Sequence, residues 1–340
     1  MLRRTGRCLS LAIVALLLAA PAAGATFWGK NGRISLNRAI EHSPDVFSID
    51  IFTVRPNGTG LVDVTPFGPN VFSFFSDWSP DGERLAVDRG TEDTLPQIWI
   101  LDGDGSHARQ LTDSPGGAFD PAWAPDGRTL AIEADFGDDP GIFLIPARPR
   151  HRTLVTRAQA QRVTRVTDGG FDSEPQVSPD GRWIAFTRYS VDCTAEETFD
   201  NCTTQVFRVR TNGTGVQPLT QIALNASAPD WHPSGRWIAI DTHDNDVAPN
   251  AGNIVVMRPD GSGKRVILRG DADDFFNNPS FSPDGRQLAF ARWPANEENP
   301  ASRIWVAGAG GRGARQLVDS PTADNKPDWG SAPKRGHHGH

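Results

Sequence analysis

Past its first 25 residues the chain has no apolar run long enough to cross a bilayer, no excess of basic side chains and only two cysteines. Each shortage excludes something. A membrane-spanning helix needs about 20 consecutive apolar residues, so no span is expected beyond the start of the chain. A net charge of −7 over 340 residues has the wrong sign for a nucleic-acid surface, which normally needs a basic excess to hold phosphates. There is no Gly-x-Ser-x-Gly turn to present a hydrolase serine. Histidines are few and badly placed for a metal. His232 occupies a turn, His243 has no ligand set nearby, and His337, His338 and His340 fall in a Gly/His-rich tail.

The first 25 residues read as an export signal. Arg3, Arg4 and Arg7 precede an apolar run over 9–20, and Ala23-Gly24-Ala25 supplies a small-x-small cleavage pattern. No cysteine follows the cleavage site, so cleavage is expected rather than lipid anchoring, with the mature chain secreted or periplasmic. Cys8 leaves with the signal. Cys193 and Cys202 remain, and a lone pair at this spacing in an exported chain reads as one disulfide closing a local loop.

Repetition is what the chain has in abundance. The phrase Trp78-Ser79-Pro80-Asp81-Gly82 opens a segment, 78–87, that returns with the same apolar pattern at 123–132, 177–186, 231–240 and 281–290. Pro presets one turn dihedral and Asp-Gly provides a tight reversal between two apolar strands. A second apolar run and turn follow each copy, as at 98–101 before Asp104-Gly105 and at 254–257 before Asp260-Gly261. Four short antiparallel strands, A to D, in a unit of about 45 to 50 residues describe a propeller blade. Turn markers fall at Asn31, Asp81, Asp126, Asp180, Ser234 and Asp284, while Lys326-Pro327-Asp328-Trp329 repeats the opening Ala228-Pro229-Asp230-Trp231. The prediction is an all-β, six-bladed β-propeller over 26–332, its ring closed by pairing of the N- and C-terminal segments so that no sheet edge is left free. Residues 333–340 are expected to be a disordered tail, and the protein to be a monomer.

The Ser-Pro-Asp-Gly phrases, the Asp-Gly-Ser turns and endings such as Leu111-Thr112-Asp113 resemble the WD-like repeats of the TolB propeller family. The resemblance covers nearly all of the chain after the signal. TolB proteins carry an N-terminal α/β domain, whereas here Thr26 leads almost directly into the first repeat, so that domain is expected to be absent. Similar repeats occur in the propellers of prolyl-oligopeptidase-like peptidases, which have an attached hydrolase domain. Polysaccharide lyases on related propellers use a histidine-rich metal site that this sequence does not supply.

In such a ring the D–A and B–C connections share one face. The B–C connections hold Asp88, Glu92, Asp93, Asp135, Asp138, Asp139, Asp192, Glu196, Glu197, Asp200, Asp241, Asp244, Asp246, Glu297 and Glu298. The D–A connections add Asp113, Asp120, Asp168, Asp172, Glu174, Asp271, Asp273, Asp274, Asp319 and Asp324. That face is therefore expected to be acidic, and a like-charged rim around a channel can recruit a basic partner. Asp120, Glu174, Asn278 and Lys326 each stand just before the inner-strand Pro and are expected to converge at the channel mouth. The reading is a non-enzymatic scaffold that binds a protein or peptide partner. The alternatives are a hydrolase or lyase using mouth carboxylates as acid and base, and a divalent-cation-binding propeller. Fold alone does not choose among them.

Overall fold

The computed structural model describes residues 29–137, 140–148, 153–166, 169–190, 202–243, 252–271, 274–294 and 301–333. The export signal, residues 334–340 of the tail and Cys193 lie outside them, so the expected Cys193–Cys202 bridge does too.

Strand is the dominant regular structure of the described residues, and helix is confined to single 3-10 turns such as Arg157–Gln159 and Ile222–Leu224. The first stretch holds β1 (Asn31–Ser43), β2 (Val46–Val54), β3 (Val62–Asp63) and β4 (Val71–Phe72). It is followed by β5 (Ser76–Trp78), β6 (Arg84–Thr91), β7 (Thr94–Asp102) and β8 (Arg109–Gln110). The next unit is β9 (Ala118–Trp123), β10 (Thr129–Ala134), β11 (Gly141–Pro146) and β12 (Gln161–Arg162). A further one is β13 (Phe171–Val177), β14 (Trp183–Tyr189), β15 (Thr204–Arg210) and β16 (Gln217–Pro218). Then come β17 (Ala226–Trp231), β18 (Ile238–His243), β19 (Gly252–Met257) and β20 (Arg265–Leu268). The chain finishes with β21 (Asp274–Phe281), β22 (Gln287–Pro294), β23 (Arg303–Gly308), β24 (Arg315–Gln316) and β25 (Asp324–Ser331).

Each repeat phrase makes the β-hairpin its chemistry dictates. Ser79 Oγ donates to Asp81 Oδ1 at 2.5 Å and accepts from the Arg84 amide at 2.9 Å, so two short side chains satisfy the turn. Ser178–Asp180 and Ser282–Asp284 repeat the arrangement at 2.6 and 2.7 Å. Gly82 sits at φ +71°, a left-handed conformation that costs a side-chain-bearing residue free energy.

The strands form a propeller-like arrangement of four-stranded blades. Four sheets are separate: β9 to β12, β13 to β16, β17 to β20 and β21 to β24. The expectation of six separate units is corrected for the remaining strands, which form one nine-stranded sheet. Its two ends have the blade pattern, β25-β1-β2-β3 and β5-β6-β7-β8, and β4 splices them. Phe72 pairs with Ile49 in parallel and with Gly90 antiparallel, so the segment joining the two patterns runs as a strand between them. The C-terminal β25 lies antiparallel to β1, with Ile34 opposite Trp329.

The core of the described residues is divided among clusters, each lying between two consecutive units. Ile98 and Ile100 pack with Trp123 and Phe143; Ala122 and Ile142 with Ile184 and Phe186; Ala239 and Ile254 with Leu288 and Phe290. The cluster holding Ala289 and Ile304 takes its other half from Ile34, Leu36 and Trp329. Trp78, Trp123, Trp231 and Trp329, which recur at one repeat position, are all buried. They are packing residues, not exposed platforms.

Candidate functional site

The inner strands share a local distortion that builds the site. In β9, β13, β17, β21 and β25 the register slips just where a residue precedes Pro. Those residues are Asp120, Glu174, Ala228, Asn278 and Lys326, at φ +47°, +52°, +47°, +50° and +49°. A left-handed non-glycine backbone is costly, and five equivalent occurrences mean that the fold requires it. Ala228 has the same φ without a functional group, so the geometry precedes any chemistry placed on it.

The bulges bring all four predicted residues together. Asp120, Glu174, Asn278 and Lys326 line one cavity of about 80 Å³, with Phe75 and Ala228 at the two remaining equivalent positions. Phe75 escapes a sequence reading because Ser76 stands where its sister repeats have Pro.

Neighbouring walls are tied to each other. Asp120 Oδ2 accepts from the Glu174 amide at 3.1 Å and from Ser173 Oγ. Glu174 Oε2 accepts from the Ala228 amide at 2.9 Å and from Thr187 Oγ1 at 2.8 Å. Asp241 Oδ2 receives the Asn278 amide at 2.9 Å, and Asn278 Nδ2 donates to Asn325 Oδ1 at 3.0 Å. Lys326 Nζ donates to Glu174 Oε1 at 2.8 Å and lies 4.6 Å from the centre of the Phe75 ring. The order of the units puts Glu174 three positions from Lys326 in a set of six, so this ion pair bridges non-neighbouring walls.

Electrostatics sets the two carboxyls apart. Burial, then the negative charge of Glu174, pushes Asp120 up to about 6. Burial, the largest single influence, would raise Glu174 as well, but the Lys326 ammonium together with the hydrogen bonds from Lys326, Thr187 and the Ala228 amide carries the group below its ordinary value. Lys326 is raised in turn, Glu174 and Asp120 prevailing over the desolvation that would lower it. Asp120 Oδ1 is buried without a hydrogen-bond partner, which leaves an acceptor to be filled. Behind it, burial and the charge of Asp120 raise Glu133 to about 8.

A deeper layer was not expected from sequence. Asp77, Asp230 and Asp328 stand two residues after the mouth positions and accept amides from an adjoining unit. The partners are Trp123 at 2.5 Å, Phe281 at 2.7 Å and Trp78 at 2.9 Å. Burial raises all three carboxyls, Asp328 to about 7.

The expected acidic face needs correction. Asp88, Asp120, Asp172, Asp241 and Asp324 are buried hydrogen-bond acceptors rather than an exposed rim. Asp324 is paired with Arg38 at 2.6 Å, Asp172 with Arg188 at 2.6 Å and Asp274 with Arg292 at 2.5 Å. Asp138, Asp139, Asp168, Asp192, Glu196, Glu197, Asp200, Asp244, Asp246, Asp273, Glu297 and Glu298 lie outside the described residues. Among the described residues no three His, Cys, Asp or Glu side chains are grouped to hold a metal ion. No helix among them is long and apolar enough to cross a membrane.

Comparison with known proteins turns on the repeats. The TolB beta propeller domain family matches residues 70–190. The chain is a TolB-like propeller. Tol-Pal system protein TolB of Zymomonas mobilis is 32% identical over 78 residues, which are 23% of this chain and 16% of that protein. An uncharacterized Agrobacterium fabrum protein is 28% identical over 221 residues, 63% of this chain and 68% of its own length. The crystal structure of TolB from Acinetobacter baumannii superposes with a TM-score of 0.63 at 20% identity, covering 90% of the TolB-like chain and 67% of that one. An oligogalacturonate lyase in complex with manganese also superposes, with a TM-score of 0.53 at 16% identity over 86% of this chain and 75% of the lyase. Likeness at that identity is likeness of fold.

Proposed function

We propose that this TolB-like propeller is an exported, non-enzymatic scaffold, and that a protein or peptide partner inserts a basic group into the mouth formed by Asp120, Glu174, Asn278 and Lys326. The observation that carries the reading is the mouth itself. One cavity gathers the equivalent residue of every unit, and in it an unpartnered Asp120 oxygen adjoins a carboxylate already holding an ammonium. A partner's lysine or arginine would take the place Lys326 occupies on Glu174 and supply the missing donor to Asp120. Charge-assisted hydrogen bonds of this kind are the strong ones.

The same reading takes the two halves of the nine-stranded sheet as two blades, giving six over 26–332. The β1–β25 pairing and the cluster linking Ile304 to Ile34 support closure into a ring. It keeps residues 1–25 as a cleaved signal, a periplasmic or secreted location, one chain per molecule, and a Cys193–Cys202 disulfide.

One observation favours catalysis instead: two carboxyls in one cavity with values pushed apart are what acid–base chemistry uses. Glu174, however, already accepts from Lys326, Thr187 and the Ala228 amide and is held below its ordinary value, which makes it a weak base toward a substrate proton.

The test is an affinity capture from envelope extract with the full mature chain, repeated with Asp120→Asn and Glu174→Gln. The expected result is a defined partner captured by wild type and lost from both variants, with melting curves still cooperative. Capture unchanged by both substitutions, or turnover on a panel of glycoside and peptide substrates, overturns the proposal.

A further inference from the structure

A second surface lies on the splice between the two halves of the nine-stranded sheet. The β4 segment puts three rings in a row: Phe47 meets Phe72 edge-on at 5.3 Å, and Phe72 stacks with Phe74 at 6.2 Å. Phe47 and Phe74 are 45% and 38% exposed, and Leu95 beside them is 54% exposed. Large apolar side chains exposed singly need no explanation, but a contiguous group does. Phe72, Phe74, Leu95 and Pro96 line a cleft of about 270 Å³. No other connection between units among the described residues carries a strand like β4, so the surface is an elaboration and not a consequence of the repeat.

Two hairpin tips flank this floor. The β1–β2 tip carries exposed Glu41 and Asp45, and the β6–β7 tip carries exposed Glu92 and Asp93. Two arginines of the flanking strands β1 and β6 are committed elsewhere. Arg38 is paired with Asp324, and Arg89 lies 3.7 Å from the centre of the Phe67 ring and 4.5 Å from that of Trp99. The cleft is therefore an aromatic strip between acidic margins. Its volume falls below that of most small-molecule sites and suits one or two side chains of a longer ligand.

We propose that this strip docks a basic peptide segment, one large apolar side chain entering the Phe72–Phe74–Leu95 cleft while flanking lysines or arginines meet Glu41, Asp45, Glu92 and Asp93. Exposed ring faces add attraction for a cation. The surface is distinct from the mouth and stands without it.

The probe is a fluorescein-labelled peptide alternating Lys with Phe and Leu, titrated into the full mature chain. Two controls replace every Lys by Glu, or every Phe and Leu by Ser. Saturable binding of the first alone is expected, with amide-exchange protection over 71–74 and 91–96. The double variant Phe74→Ser/Leu95→Ser should weaken it by about tenfold or more, as loss of a central apolar anchor does, while the melting temperature is held. Glu92→Lys/Asp93→Lys should weaken it and flatten its salt dependence; Glu174→Gln should leave it unchanged. Absence of binding, equal binding of all three peptides, protection at the mouth instead, or full affinity in the Phe74/Leu95 variant overturns the proposal.

Discussion

Among single residues, Lys326 is the most exposed to consequence. Its ammonium neutralises one of several acids gathered in a small space, and removing one partner of a largely buried pair strands the other. Lys326→Met is expected to destabilise the protein by about 2 kcal/mol, and by much less in a Glu174→Gln background. Urea denaturation of the four proteins of that cycle measures both. The convergence of Asp120, Glu174, Asn278 and Lys326 was legible in sequence because each occupies the same place before a repeated Pro. Their partners were not. Nothing in the spacing says that Glu174 reaches Lys326 rather than water, or that Asp172 and Arg188 pair within one hairpin. Those are facts of side-chain direction, which a repeat pattern does not encode.

At the level of the strand, buried aspartates that accept backbone amides make stability depend on pH in an unusual sense. Asp328 and Asp88 are raised to about 7, and Asp77 and Asp230 are raised as well, against an ordinary value of 3.8. Between those limits the folded chain binds more protons than the unfolded one, so stability falls as pH rises from about 4 to about 7. Groups lowered on folding, such as Glu174, act below this window. The melting temperature should be higher at pH 5.5 than at pH 8 by about 2 °C or more. Asp328→Asn keeps an oxygen for the Trp78 amide and removes the charge, so it should raise the value at pH 8 and flatten the profile. Calorimetry at the two pH values checks both. The strands themselves were readable from turn chemistry and apolar alternation. The splice by β4 was not, since Val71 and Phe72 form too short a run to announce a strand.

For the molecule as a whole, the expected architecture rested on counting hairpin phrases; four of the counted units form separate four-stranded sheets, each needing a neighbour to cover its apolar face, and the rest merge into one sheet. Deleting residues 324–340 should expose Ile34 and Leu36 and leave β1 with a bare edge. The expected outcome is loss of a single cooperative melting transition together with association on size exclusion. A truncated chain that melts sharply as a monomer would refute the closed arrangement.

The place of β25 also bears on timing. Ile34 and Trp329 face each other across one ladder although they come from opposite ends of the chain. During synthesis the opening strand must wait for the final one before its inward-facing hydrogen bonds are made. Until then each of the two strands keeps an unpaired edge, and a factor that shields either edge would act only in that interval.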